Sequence, residues 1–251
     1  MRALLLIGVL CVFTIPLRAQ KYYAGISLNP SASAAVIDDA MKSYAASVNS
    51  EPSWRLAPGL GFWAFYELDK NTEFQGGLCY MDAGFQRHQA KLQLGMSTYP
   101  GVGSGKIMDN SVSGNERSID YNYKFHYIQI PVMVNYRFKF ARNYKLSYSI
   151  SAGIAIDLLA KHEMVANLTP AFYIDGKDKF HLDSTGLDAR VFNCNIFLGG
   201  RIDYQMDKKN SLFIQPLFSF FPLSATANMD TYLYTVSFNV GIKRMISKVH
   251  L

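Results

Sequence analysis

The chain has 251 residues, of which 49% are hydrophobic, 14% aromatic and only 18% charged, with a formal net charge of +6. That length accommodates one or two domains. So low a charge is unusual for a surface wholly in water, and no run of Lys and Arg makes a nucleic-acid footprint.

Residues 1–19 read as a secretory signal. Arg2 supplies the basic start, Ala3–Ile15 the apolar stretch, and Leu17-Arg18-Ala19 a cleavage site before Gln20. The apolar run is shorter than the roughly 20 residues a spanning helix needs. Leu10 before Cys11 is too bulky for a lipoprotein signal. Loss of Arg2 and Arg18 lowers the charge to +4 and leaves Cys79 and Cys194 as the cysteines of the exported chain. Export implies an oxidising compartment. Even so, the two fall on distant strands with opposite facing, so no disulfide is expected, and no zinc spacing exists.

Residues 20–251 form one predicted domain built on alternation. In Tyr123–Phe138, His126, Ile128, Ile130, Val132, Val134, Tyr136 and Phe138 share one face. Tyr127, Gln129, Met133, Asn135 and Arg137 share the other. Period two marks a strand with one apolar side. Leu146–Leu158 and Tyr232–Lys243 repeat the pattern, and the whole reads as eight strands at about 21–29, 54–67, 73–86, 122–138, 144–158, 189–206, 211–223 and 232–246.

The connections alternate in length. Leu68–Thr72, Lys139–Asn143 and Asp207–Asn210 are tight, whereas Pro30–Ser53, Gln86–Asp120 and Leu159–Asp188 are long and Ser224–Thr231 is intermediate. An even strand count with short turns on one rim and long loops on the other predicts an all-β fold, an eight-stranded antiparallel up-and-down transmembrane β-barrel. It would sit in the outer membrane of a Gram-negative bacterium, with long extracellular loops, short periplasmic turns and both termini periplasmic. Gly25, Gly59, Gly61, Gly77, Gly153, Gly199 and Gly241 fall on the polar face, as a narrow filled bore requires. Trp54, Tyr66, Phe74, Tyr136, Phe138, Tyr204, Tyr232 and Tyr234 lie near strand ends on the apolar face, like two interfacial girdles. Pro58, Pro131 and Pro216 each remove a ladder hydrogen bond, so bulges or local widening are expected there. A soluble lipocalin-like barrel would turn the apolar face inward instead. The Gly-, Ser- and Asn-rich polar face and the missing helix after the last strand favour the membrane barrel.

Residues Tyr127-Ile128-Gln129-Ile130-Pro131-Val132-Met133-Val134-Asn135-Tyr136-Arg137-Phe138 resemble the strand signature of the PorT-like outer-membrane barrel domains of Bacteroidota. In that family an aromatic opening leads through Pro to a Tyr-Arg/Lys-Phe close. Ser237–Lys243 and the signal ending Ala19-Gln20 are similar to the same group. The resemblance implies fold and location only, since one fold hosts many functions. It also accommodates Pro131. The closing run departs from the usual aromatic terminus, ending Gly241-Ile242-Lys243-Arg244-Met245-Ile246 and five further residues, with Arg244 placed to snorkel to headgroups.

By parity, Glu67, Glu73, Arg137, Arg201, Asp203 and Lys243 point inward near the periplasmic rim. Charges inside a narrow bore must pair, so they are read as a mixed-sign plug; hydrated rim charges are the alternative. Phe213, Leu217 and Phe221 break the polar lumen and mark an apolar ligand pocket. His162, Glu163, Asp175, Asp178, His181, Asp183 and Asp188 form an acidic loop without EF-hand order. The Gly101, Gly103, Gly105 and Gly114 loop lacks a phosphate-binding signature. His88, His162, Ser111 and Asp109 have no catalytic spacing. Neither a cofactor nor a metal is expected. The expected partners are outer-membrane lipids, lipopolysaccharide and an envelope protein; the barrel itself is expected to be monomeric. The expected role is structural or interactive, with passage of small hydrophobic molecules and then lipid modification as alternatives.

Overall fold

The computed structural model describes residues 21–38, 52–90, 118–138, 145–169, 179–182, 188–227 and 230–248. The signal segment 1–19, the Gly101–Gly114 stretch, Ser111, Asp109, Asp175, Asp178 and Asp183 lie outside them, as does the side chain of His181.

Among the described residues the strands are β1 (Lys21–Leu28), β2 (Ser31–Asp38), β3 (Pro52–Ser53), β4 (Arg55–Ala57), β5 (Gly59–Glu67), β6 (Thr72–Ala90), β7 (Ser118–Phe138), β8 (Leu146–Thr169), β9 (Lys179–Leu182), β10 (Phe192–Gln205), β11 (Asn210–Phe220) and β12 (Asp230–Lys248). The path β1-β5-β6-β7-β8-β10-β11-β12 closes because β12 pairs back onto β1, giving a ring of eight antiparallel strands. β2 carries the line of β1 past Asn29 and Pro30 and pairs with β12 and β4. In the same way β3 and β4 precede β5 in its line, with β4 ending at Pro58 and β3 pairing with β6.

The prolines act without shifting register. Pro58 divides β4 from β5. Beside Pro131 the β6–β7 ladder lapses between Gly76↔Val132 and Cys79↔Gln129. Beside Pro216 the β10–β11 ladder lapses between Gly199↔Leu217 and Ile202↔Ile214, and both resume in the same register. A missing N–H thus opens a local gap. True bulges occur elsewhere, between Tyr22 and Tyr23 on the β1–β12 seam and between His126 and Tyr127 on the β7–β8 seam.

Two tight turns share one design. Asp69 Oδ1 accepts the Asn71 and Thr72 amides at 2.6 and 2.8 Å, and Asp207 Oδ1 accepts those of Lys209 and Asn210 at 2.7 and 2.8 Å. Aspartate favours such turns because its side chain mimics a backbone acceptor. These turns lie at the end of the barrel that also holds Lys21 and Lys248, here called the terminal end.

Around the ring the outward positions carry exposed apolar side chains, among them Ile26, Phe62, Leu78, Ile130, Val132, Ile154, Leu198, Phe218 and Phe238. On β7 the belt runs from Ile128 to Phe138, roughly 25 Å at a strand rise of about 3.4 Å and a tilt of about 40°. Aromatic pairs sit at its margins: Tyr22–Tyr66 and Trp54–Tyr234, each with ring centroids 5.0 Å apart, and Tyr136–Phe138 at 5.6 Å. Such a belt matches the hydrocarbon height a membrane barrel must cover.

The strands run further than apolar alternation suggests. Much of the expected long connections is strand: β2, the last residues of β6, the first residues of β7, the second half of β8, and β9. The reason is a change of phase. Beyond the belt, Tyr121, Tyr123, Phe125 and Tyr127 face inward and are buried, while Asn122, Lys124 and His126 face outward. On β8 the bulge adds Ala160, so inward positions change from Ala155 and Asp157 to Met164 and Ala166. That extra residue breaks the period-two count in the sequence.

Candidate functional site

The bore is filled in layers. At the terminal rim Glu67 receives Arg137 Nη1 at 3.1 Å, the Tyr23 hydroxyl at 3.2 Å and Lys21 Nζ at 3.3 Å. Next inward, Glu73, Arg201, Asp203 and Lys243 form a closed square of alternating sign. Arg201 meets Glu73 at 2.5 Å and Asp203 at 2.9 Å, and Lys243 meets Glu73 at 3.0 Å and Asp203 at 2.9 Å. All four are at most 5% exposed. Arg137 Nη2 also approaches Glu73 at 3.7 Å. Arg201 and Asp203 share a face of β10 two residues apart, while Glu73 on β6 and Lys243 on β12 reach them from other strands of the ring. The Phe65 ring lies 5.4 Å from the Arg201 guanidinium and 5.1 Å from Lys243 Nζ, adding cation–π attraction. Two acids against two bases leave the square neutral, which is what makes charge tolerable there. The structure therefore brings all six inward charges read from the sequence into one network.

Above the square lies an amide layer the sequence reading did not single out. Gln75 Oε1 accepts Asn135 Nδ2 at 3.0 Å and Arg201 Nη1 at 3.2 Å. Gln215 Nε2 donates to Ser151 Oγ at 3.0 Å and Gln75 Oε1 at 3.2 Å. Parity alone could have found it, since these side chains alternate with lipid-facing ones.

The middle layer is apolar: Trp63, Phe65, Cys79, Met133, Ala155, Phe197, Phe213 and Leu217 pack together. The bore is too narrow for bulk on every strand, so glycine stands beside each large side chain. A Cβ on Gly241 would lie 2.7 Å from the Phe213 ring, and one on Gly199 2.9 Å from Leu217. Phe213 packs edge-on against Phe65 at 5.6 Å. Phe221 belongs to a different, far-end cluster. The pocket expected from Phe213, Leu217 and Phe221 is thus corrected: the three do not line one space, and neighbours fill the room around them. A cavity of about 20 Å³ remains beside Trp63, Cys79, Gln129 and Leu217, space for about one water.

The far-end cluster joins Phe85, Tyr121, Tyr123, Phe125, Tyr127, Met164, Phe221 and Leu233, all at most 3% exposed. Phe85 stacks on Tyr123 with centroids 4.6 Å apart. Ser33 Oγ clamps the Gly84 backbone, donating to its carbonyl at 2.8 Å and accepting its amide at 2.9 Å.

At the far margin of the belt, buried Arg55 grips buried Asp82 through both carboxylate oxygens, at 2.8 and 2.5 Å. Tyr80 hydroxyl meets His126 Nδ1 at 2.6 Å. Lys124 and Lys161 hold Glu163 at 2.6 and 2.9 Å. The hydrogen bonds from Lys124 and then Lys161 pull the Glu163 carboxyl down to about 2. His88 pairs with Asp120 at 2.6 Å in an exposed position. Cys79 is buried and inward, and Cys194 has the opposite parity; both are free thiols. Among the described residues no three His, Cys, Asp or Glu side chains gather as a metal site.

A closed ring of eight strands with an apolar belt and a filled interior defines a small outer-membrane β-barrel. The chain belongs to the outer membrane protein beta-barrel domain family, whose model matches residues 19–220. No curated protein matches the sequence. Among solved structures the chain is similar to Neisserial surface protein A, with 7% identity and a TM-score of 0.43 over 90% of this chain and 99% of that one. It is also similar to Ail, the attachment invasion locus protein of Yersinia pestis, with 11% identity and a TM-score of 0.36 over 90% and 99%. OprG from Pseudomonas aeruginosa is another such structure, with 8% identity and a TM-score of 0.36 over 93% and 98%.

Proposed function

We propose that this barrel is a non-conducting, non-catalytic envelope protein that works through its outer wall, as a docking platform for another envelope protein. The observation that carries this is double closure: a neutral charge square blocks the terminal half of the bore and an aromatic core fills the far half. A role for the bore as a conduit would need both to move. Passage of small hydrophobic molecules is disfavoured by the same filling, because Phe213 and Leu217 already meet their neighbours.

The platform is the far end of β6, β7 and β8. β7 runs ten residues past Ile128, from Ser118 to Tyr127, about 25 Å further along the barrel wall by the same rise and tilt. Its outward face offers Asn122, Lys124 and His126. Short turns and both chain ends share the opposite rim, which supports a periplasmic terminal end and an extracellular far end. Lys161, at the belt margin, suits the phosphates of lipopolysaccharide. The Tyr127–Phe138 strand supports placing the chain among PorT-like barrels of Bacteroidota, acting as a single barrel.

Two measurements test the reading. Purified protein in planar bilayers is expected to give no sustained conductance; steady open levels would refute closure. A photo-crosslinker at Asn122 in intact cells is expected to trap one protein of defined mass, while the same probe at lipid-facing Ile130 traps none. Equal yields at both positions would refute the platform.

A further inference from the structure

Among the described residues, one inward acid has no basic partner. Asp157 on β8 is fully buried, facing inward between its cross-strand partners Gln129 on β7 and Asn193 on β10. Gln129 Nε2 donates to its Oδ1 at 2.8 Å, but Oδ2 has no partner, and among the described residues no Lys or Arg forms an ion pair with it. Two residues along the same face of β10, Asn195 is also fully buried with both amide atoms unpartnered. Tyr127, on the other side, keeps its hydroxyl near Asn193 without a well-aligned hydrogen bond. In the charge square, by contrast, each acid meets two bases. Here a lone carboxyl group stands among neutral side chains in a buried interior, where an unpaired charge is strongly unfavourable.

We propose that this inner wall binds one monovalent hard cation, sodium being the natural occupant, held by Asp157 and Asn195. The donors are all oxygens, which selects a hard ion over a soft one. One carboxylate neutralises a single positive charge, whereas a divalent ion would leave excess charge in a sealed bore. Gln129, which holds the other Asp157 oxygen, also lines the 20 Å³ cavity, which has space for about one water. With both ends of the bore closed, the ion enters as the barrel folds and exchanges slowly afterwards. This site is independent of the docking role and carries no transport.

The test refolds the full chain into lipid vesicles in sodium chloride or in N-methylglucamine chloride at equal ionic strength. Thermal midpoints and bound sodium are then measured after transfer to sodium-free buffer. The wild type is expected to melt about 5 °C higher in sodium and to retain about one sodium per chain. Asp157→Asn is expected to abolish both effects. Asn195→Leu, which keeps the carboxylate, is expected to weaken them, and it still probes the site if Asp157→Asn fails to fold. Glu163→Gln, on the outer wall, should retain both. Equal melting of the wild type in the two salts, or a sodium effect that survives Asp157→Asn or is undiminished in Asn195→Leu, overturns the proposal.

Discussion

Residues 128–138 and 118–127 belong to one strand, β7, yet they are amphipathic in opposite senses. From Ile128 to Phe138 the outward side chains are apolar, and Gln129, Asn135 and Arg137 face in. From Asp120 to Tyr127 the aromatic residues face in and the polar ones face out. Backbone, pairing and strand direction are continuous across the change, so what switches is the outside solvent. Where hydrocarbon surrounds the wall, the outward face must be apolar and the bore can hold balanced charge. Where water surrounds it, the ordinary rule returns and the interior becomes a hydrophobic core.

That contrast can be broken from either side. The largest effects should come from the two fillings themselves. Glu73→Ala leaves buried Arg201 and Lys243 to share Asp203 alone in the square and is expected to cost about 3–5 kcal/mol. Phe125→Ala opens a cavity in the far-end core at a similar cost, about 3–5 kcal/mol. Both are measurable by urea unfolding in vesicles followed through Trp54 and Trp63. Neither variant alone should conduct in planar bilayers, because the other closure persists. A conducting Glu73→Ala protein would show that the aromatic layer does not seal.

The belt margin comes next. Val132→Arg sets a cation in the middle of the exposed belt and should cost about 2–4 kcal/mol, whereas an arginine in place of outward Asn122 should be close to neutral. Equal costs would place Asn122 in hydrocarbon and move the boundary. Gly241→Val tests the tight bore directly, since its side chain would meet Phe213, and should cost about 1–3 kcal/mol by overpacking.

The smallest effect is electrostatic. Glu163 titrates well below an ordinary carboxylate, so its contribution is fully present above a pH of about 4.5 and is lost as pH falls through about 2. The group is near the surface and its partners are partly solvated, so Glu163→Gln should cost about 1 kcal/mol or less at neutral pH. The difference between wild type and variant should vanish in strong acid. A gap that widens on acidification would refute the assignment of charge.

Parity made much of the barrel legible. The outward placement of Ile130, Val134 and Phe238 and the inward placement of Glu73, Arg201 and Lys243 follow from a period of two within each strand. The turns at Asp69 and Asp207 were readable from local chemistry. The outermost stretches of the far end, among them β2, the last residues of β6 and the first residues of β7, were not, because their apolar side faces inward and resembles a loop when lipid-facing alternation is the template. The extra Ala160 on β8 concealed the rest. Phe221 was read correctly as inward but placed with Phe213 and Leu217; parity gives a face and says nothing of height in the bore.

The amino-acid order alone determined which face each strand turns to hydrocarbon, where the short turns fall and that the inward charges share one bore, since each depends on neighbours a few residues away. Only the tertiary structure decided that Glu73 meets Arg201 and Lys243, residues more than a hundred positions distant, or that among the described residues Asp157 meets no base. Those partnerships depend on how far each strand is staggered against the next around a closed ring, and closure, with its tilt and shear, belongs to the whole set of strands at once.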